Sequence, residues 1–458
     1  MLPEGFEARM RALLGSEYED FLASFDRPLC TGLRRNPLKT GFTGDLSRFS
    51  LSPVPWCPTG FYYDAVSRPG LSPYHAAGLY YLQEPSAMAP AELLDPQPGE
   101  RVLDLCAAPG GKSTQLAGKL RGKGLLVCNE INAKRAKILS GNIERLGISN
   151  ALVLNEHPKR LEERFAGYFD KILVDAPCSG EGMMRKDSQA CAQWSERLVD
   201  ECAARQWEIV ENLWETLAPG GFFIYSTCTF NTRENERIAD RMIADFGAEP
   251  VAIHLPEDSG IVVDGQGRMR FLPTRLRGEG LFMAILRKPD EWTPALVRHT
   301  ASTPRREKKK SRHRGSVAEL QPGGRPSSKA PDLASLCAPW LRGDYDFLLR
   351  GEALYGRPAA FSHIYDLLDS HLDLLLPGLE VAALKGRTAV PSQPLALTTA
   401  LNSTDSPFPT AEVDLDLALS YLRRESLPGF PDSPRGPLLL TFRPQGLPAP
   451  LLLGFVNN

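Results

Sequence analysis

VLDLCAAPGGKSTQLAGKL, residues 102–120, is the stretch from which the rest of the chain can be read. An apolar run of strand character ends in a Pro-Gly-Gly turn and passes directly into a segment with helical spacing. That arrangement lets a ligand approach the backbone at the carboxyl edge of a parallel sheet, and Gly110 and Gly111 lack the Cβ atoms that would block the approach. Around it, apolar runs at 101–106, 124–130, 151–155, 171–175 and 221–227 alternate with helical patterns at 132–147 and 189–217. The alternation predicts parallel strands joined by crossover helices, a doubly wound α/β domain of Rossmann-like type. KILVDAP and GFFIYST are almost continuously apolar, as strands covered on both faces should be. GEGLFMAILRK, 278–288, predicts one more strand that closes an edge of the sheet.

A length of 458 residues exceeds one compact domain. Hydrophobic residues at 42% and charged residues at 24% exclude wholesale disorder, collagen and coiled coil. The expected division is a small module at 1–80, the α/β domain at 81–290, a basic linker at 291–331 and a small mixed or β-rich domain at 332–458. FEARMRALLGSEYEDFLASF reads as an amphipathic helix of the first module. The nine cysteines include no Cys-x-x-Cys pair, which argues against a disulfide scaffold or zinc ribbon, and MLPEGFEARM has neither a basic leader nor a hydrophobic run. No stretch approaches the roughly 18–20 apolar residues of a membrane span. The expectation is a soluble cytoplasmic protein with no membrane and no metal. The formal net charge of −2 conceals an asymmetry, since residues 294–331 hold ten Lys and Arg against two Glu. That run reads as a solvated linker and equally as a flexible phosphate-binding arm.

The turn at 106–112 excludes two nucleotide loops. A phosphate loop needs Gly where Cys106 stands, and the dinucleotide fingerprint is broken by Ala107 and Ala108. S-adenosylmethionine, whose nucleoside end carries no phosphate, needs neither. Cys106, Ala107, Ala108, Pro109, Gly110, Gly111 and Lys112 are therefore candidate cofactor-loop residues. Glu130, at the tip of the second strand, is placed to accept both ribose hydroxyl protons. Arg135 either orients Glu130, meets the methionine carboxylate or faces solvent, and Asn155 either reads the adenine edge or serves as a turn residue.

Two further strand ends carry thiols: ILVDAPCSGEGMMRKD presents Asp175 and Cys178, and FFIYSTCTF presents Cys228. In a parallel sheet these ends share the edge of the cofactor loop, so both thiols and the carboxylate should converge on one crevice. Taken singly, Cys106, Cys128, Cys191 and Cys202 read as small core residues.

CAAPGGKS, DAPCSGEG and YSTCTF, in this order, with LRRNPLKT at 33–40 and LQEPSAMAP at 82–90, resemble the NOL1/NOP2/Sun family of S-adenosylmethionine-dependent RNA cytosine-5 methyltransferases. Within it the chain is similar to the bacterial RsmF-like branch, which acts on 16S ribosomal RNA. The resemblance is strong over 1–288 and weak beyond the linker. It implies Cys228 as the nucleophile and Cys178 as the residue that assists release, an assignment the residues alone leave open. It also implies Asp175 as the group facing cytosine N3, protonated in a dry pocket with a raised pKa, and Lys112 as a neighbour that tunes these groups. Thiolate addition at C6 would make C5 nucleophilic enough to accept a methyl group. Transfer RNA as substrate, and a catalytically silent RNA-binding assembly factor, are the alternative readings.

A cytosine inside a duplex cannot present C6 to a thiol, so the target base must be single-stranded or flipped. Arg34, Arg35, Lys39, Arg185 and Lys186 are candidate phosphate contacts, and Trp56, Phe61, Tyr62 and Tyr63 candidate stacking residues or a local core. The resemblance implies an RNA-binding module of the PUA type at the carboxyl end. This chain departs from that pattern there, with 14 acids against nine bases over 332–458.

Overall fold

The computed structural model describes residues 2–39, 49–253, 255–291, 330–386, 388–402, 407–443 and 450–458. The basic run at 294–331 lies almost wholly outside these residues. The first module begins with helix α1 (Glu4–Leu14) and continues into a four-stranded antiparallel sheet of β1 (Gly32–Arg35), β2 (Ser52–Val54), β3 (Cys57–Tyr62) and β4 (Tyr80–Leu82), in the order β2-β3-β1-β4. The single amphipathic helix expected here is broken. Gly15 caps α1 at φ +54, and the chain restarts as a second helix at Tyr18–Ala23. Phe6 of α1 and Phe21 of that second helix pack against Trp194 and Phe230 of the next domain.

The central sheet contains β5 (Arg101–Asp104), β6 (Leu125–Asn129), β7 (Ala151–Leu154), β8 (Phe169–Asp175), β9 (Leu217–Thr227), β10 (Glu249–Pro250), β11 (Val262–Val263), β12 (Met269–Phe271) and β13 (Leu281–Arg287). Its path runs β11-β12-β13-β9-β8-β5-β6-β7, with β7, β6, β5, β8 and β9 mutually parallel and β13 antiparallel to β9. Alternate residues of one strand enter separate cores on the two faces. Leu103, Ile172, Val174, Phe223 and Tyr225 join one, while Val102, Leu126, Leu173 and Ile224 join the other. This is why KILVD and FFIYS carry almost no polar positions. The expected helices form as Ala133–Arg145, and as Ser188–Gln193 followed by Glu196–Trp214, the break falling where Ser195 Oγ accepts from Leu198 N and caps the longer helix.

The structure corrects the edge expectation. β13 is not terminal, because β12 and β11 continue the sheet beyond it. At the opposite side Leu374–Leu376, from the carboxyl-terminal segment, pairs antiparallel with β7. Helix Ser362–His371 buries Ile364, Tyr365 and Leu368 in the core beneath that sheet. The remainder of 332–458 forms two small sheets of four and three strands. No helix among the described residues is long and apolar enough to cross a membrane.

Arg34 and Lys39 do not face solvent. Arg34 is buried, and its guanidinium donates to Gln83 Oε1 at 3.0 Å, Gly111 O at 3.1 Å and Thr114 Oγ1 at 2.8 Å, riveting β1 to the helix that follows the Gly turn. Burial pulls its pKa down to about 10. Lys39 Nζ donates to Leu397 O, tying the first module to the carboxyl-terminal segment. Truncating Arg34 would leave buried acceptors unsatisfied. Arg34→Ala is expected to cost about 3 kcal/mol in a denaturant unfolding experiment. A loss within about 0.5 kcal/mol, as for an ordinary surface site, would contradict this placement.

Candidate active site

The carboxyl edge of β5 opens into residues 105–110, and the chain re-enters a helix at Gly111–Leu120. Gly110 takes φ +112 at the N-cap, a conformation that favours glycine. The loop is held through its backbone. Ala107 N donates to Asn129 O at 2.9 Å, Arg135 Nη2 to Ala108 O at 2.6 Å and Asn142 Nδ2 to Pro109 O at 2.8 Å. Glu130 is buried at the tip of β6. Its Oε1 accepts from Asn132 N at 2.9 Å, and its Oε2 sits 3.2 Å from Arg135 Nη1 without accepting a well-directed hydrogen bond. Arg135 thus lies against both Glu130 and the loop, with its side chain still partly exposed. Asn155 Nδ2 donates to Glu130 O at 2.6 Å, which makes Asn155 a support for that strand tip.

Asp175 ends β8. Its Oδ2 accepts from Lys112 Nζ at 2.7 Å and its Oδ1 from Ser226 Oγ at 2.9 Å. Burial works against the Lys112 ammonium, but the charge and hydrogen bond of Asp175 outweigh it and hold its pKa above the ordinary lysine range. The carboxyl group expected to face cytosine N3 thus has a lysine against one oxygen and a serine hydroxyl against the other. Beneath this pair Asp104 is buried, hydrogen-bonded to Ser113 Oγ at 2.6 Å through one oxygen and to nothing through the other. Burial raises its pKa to about 7, against weaker lowering by Ser113 and Lys112.

The two thiols meet. Cys178 Sγ lies 3.3 Å from Cys228 Sγ, because β8 and β9 are parallel and in register from Lys171 opposite Phe222 to Asp175 opposite Ser226. Two buried acids hold the loops beyond those strand ends. Glu234 accepts from Ser179 N at 2.9 Å, Ser179 Oγ at 2.5 Å, Gln206 Nε2 at 2.8 Å and Asn231 Nδ2 at 2.6 Å. Glu181 accepts from Thr229 Oγ1, Phe230 N and Asn231 N on one oxygen, and from Arg9 and Trp194 on the other. Gly182 N closes the contact by donating to Cys228 O at 2.9 Å. The pKa of Cys178 is driven well above the ordinary thiol value, first by its hydrogen bond to Cys228 and then by burial.

A cleft of about 400 Å³ joins these parts. Cys106, Ala108, Glu130, Arg135, Asp175, Cys178 and Cys228 line it. Ala107, Pro109, Gly110, Gly111 and Asn155 stand behind the lining, and Lys112 reaches it through Asp175. His157 and the helix positions Arg205, Glu208, Ile209 and Asn212 form the far wall and were not anticipated. Their spacing of three, one and three marks one helical face, which is the signal available in the sequence. Glu181 and Glu234 offer no such signal, since only the folded loops bring donors to them. Cys128 and Cys202 are buried away from the cleft. Trp56 is also buried, its Nε1 donating to Pro85 O at 2.8 Å, and Arg185 pairs with Glu279 at 3.3 Å. Among the described residues no cluster of three or more His, Cys, Asp and Glu is arranged to hold a metal.

Residues 91–287 match the family model described as 16S rRNA methyltransferase RsmB/F, and residues 2–85 match that of the N-terminal domain of 16S rRNA methyltransferase RsmF. Over these residues the chain belongs to the RsmF-like family. It is 38% identical over 303 residues to ribosomal RNA small subunit methyltransferase F of Vibrio campbellii, and 37% identical over 303 residues to that of Serratia proteamaculans. In both comparisons the match covers 63% of this chain, and the chain spans 63% of the relative's length. Among solved structures, a methyltransferase homolog protein from Pyrococcus horikoshii is 29% identical with a TM-score of 0.54, covering 62% of this chain and 95% of that one. The matched residues of the RsmF-like family thus include the whole carboxyl edge described above.

The folded Asp104 keeps its proton to about pH 7, whereas an unfolded aspartic acid loses it near its ordinary value of 3.8. Between those values the folded state binds more protons, so this group's contribution to stability falls as pH rises. Relative to the parent, Asp104→Asn should become steadily more stable from pH 4 to pH 7 in urea unfolding. A difference independent of pH would contradict the assignment.

Proposed function

We propose that this chain is an S-adenosylmethionine-dependent methyltransferase acting on C5 of a cytosine in 16S ribosomal RNA, through a covalent bond between Cys228 and C6. The observation that carries the reading is the pair of sulfur atoms 3.3 Å apart on the wall of a cleft whose other end presents Glu130. The family match supports ribosomal RNA as the substrate class.

The cleft fits the cofactor. Glu130 carries a buried oxygen with no well-directed donor, which ribose hydroxyls would satisfy, and the loop at 106–110 lacks bulk where a nucleoside would lie against it. Glu130 and Arg135 would hold the nucleoside end, with His157 and Asn212 on the facing wall. When bound, S-adenosylmethionine supplies an electrophilic methyl group on a sulfonium centre.

Cys228 Sγ adds to C6 of the flipped base, and the displaced π electrons make C5 nucleophilic. The Lys112 ammonium, bonded to Asp175, offers positive charge near the N3 edge, where electron density accumulates. Asp175 fixes that ammonium and can accept a hydrogen bond from the exocyclic amine. After methylation the proton on C5 must leave as the bond between C6 and Cys228 breaks. Cys178 is the group for that step. While Cys228 is free, its sulfur is the largest influence keeping the Cys178 thiol protonated. Conversion of Cys228 to a thioether removes that influence and favours release of the Cys178 proton to solvent, after which the thiolate takes the proton from C5.

Cys228→Ala should abolish methyl transfer from tritiated cofactor to 16S ribosomal RNA of cells lacking the protein, together with any covalent complex. Cys178→Ala should let a denaturation-resistant protein–RNA complex accumulate. A complex that persists in Cys228→Ala and is lost in Cys178→Ala would reverse the roles, and label entering transfer RNA alone would overturn the substrate.

A further inference from the structure

A second cavity, of about 420 Å³, opens between the first module and the α/β domain. Arg27, Leu29 and Tyr63 line it from the module, and Arg185, Leu276 and Arg277 from the domain. The three guanidinium groups are not equivalent. Arg185 is nearly buried, paired with Glu279 at 3.3 Å and donating to Arg27 O at 3.2 Å, so its charge is neutralised and its work is structural. Arg27 and Arg277 are exposed and form no ion pair among the described residues. Arg27 makes one long contact with Pro273 O, 3.5 Å, and Arg277 lies 4.1 Å over the Tyr62 ring, whose hydroxyl donates to Arg277 O. That stacking holds one guanidinium in place without consuming its charge. The one acid on the lining, Asp64, accepts from Val66 N at 3.0 Å as a cap. Leu29, 47% exposed, adds an apolar surface beside the cations.

This groove is joined to the reacting thiols by backbone. Gly182 bonds to Cys228 O, and a Cβ on Gly280 would come within 3.1 Å of Gly182 Cα. Arg185 follows Gly182 by three positions, a reach of at most about 11 Å in extended chain. The groove and the reacting thiols are therefore neighbours through this backbone contact.

Resting on the RNA reading above, we propose that Arg27 and Arg277 grip backbone phosphates of single-stranded RNA immediately flanking the reacting nucleotide, with Leu29 and Tyr63 against the sugars and bases between them. Guanidinium forks suit phosphate oxygens, and the groove supplies the positive charge that Arg34 and Lys39, engaged by internal acceptors, do not. The salt dependence of 16S ribosomal RNA binding tests it. Losing two phosphate contacts should lower the slope of log affinity against log salt by about 1.4, from roughly 0.7 per single-stranded contact. Arg27→Ala with Arg277→Ala should show that loss, while the corresponding double Lys variant keeps most of the slope. Both side chains are exposed, so the thermal midpoint should hold in either variant. An unchanged slope in the alanine pair, with the parent binding and methylating RNA, overturns the groove alone. Absence of methyl transfer by the parent to any RNA overturns the reading on which it rests.

Discussion

The parallel pairing of β8 with β9 is the constraint from which the site follows. With Asp175 opposite Ser226, the residues just beyond both strands leave the sheet side by side, and Cys178 and Cys228 meet at 3.3 Å. Two thiols at that distance require the loops carrying them to be immobile, and nothing in loops of five and eight residues ensures this. Glu181 and Glu234 provide it by burying carboxylates that need donors. A buried carboxylate without partners is strongly unfavourable, so each acid compels the donors of both loops to converge on it. Glu234 collects its donors from Ser179, Gln206 and Asn231, and Glu181 from Thr229, Phe230, Asn231, Arg9 and Trp194. Through Arg9 the first helix of the chain becomes part of the same scaffold.

Around that centre, charge is arranged by depth. Asp104, Lys112 and Asp175 form a column under the cleft, with the ammonium between one acid that holds a proton to about pH 7 and one that engages it directly. The carboxyl group expected to face cytosine N3 also holds the Lys112 ammonium at 2.7 Å.

Much of this was legible in the sequence. The strands of the central sheet could be read because burial on both faces erases polar positions from them, and the Gly turn because only glycine suits φ +112 at that N-cap. Cys178 and Cys228 followed from strand ends sharing an edge. Tertiary pairing was not legible. Leu374–Leu376 joins the sheet from more than 200 residues beyond β7 with no pattern to announce it. Arg34 and Lys39 looked like surface cations because a buried arginine differs from an exposed one only by the acceptors that folding delivers. Glu181 and Glu234 were invisible for the same reason, whereas the far wall of the cleft left only the helical spacing of Arg205, Glu208, Ile209 and Asn212 as its mark.

The account rests on Cys228, held against Cys178 by its clamped loop, being the atom that bonds to RNA. RNA bearing 5-fluorocytidine traps such a bond, since fluorine cannot leave C5 as a proton does. Tryptic mapping of the trapped protein by mass spectrometry should place the added nucleotide on the peptide containing Cys228. The same mass on the peptide containing Cys178, or no trapped species from an actively methylating preparation, would contradict it.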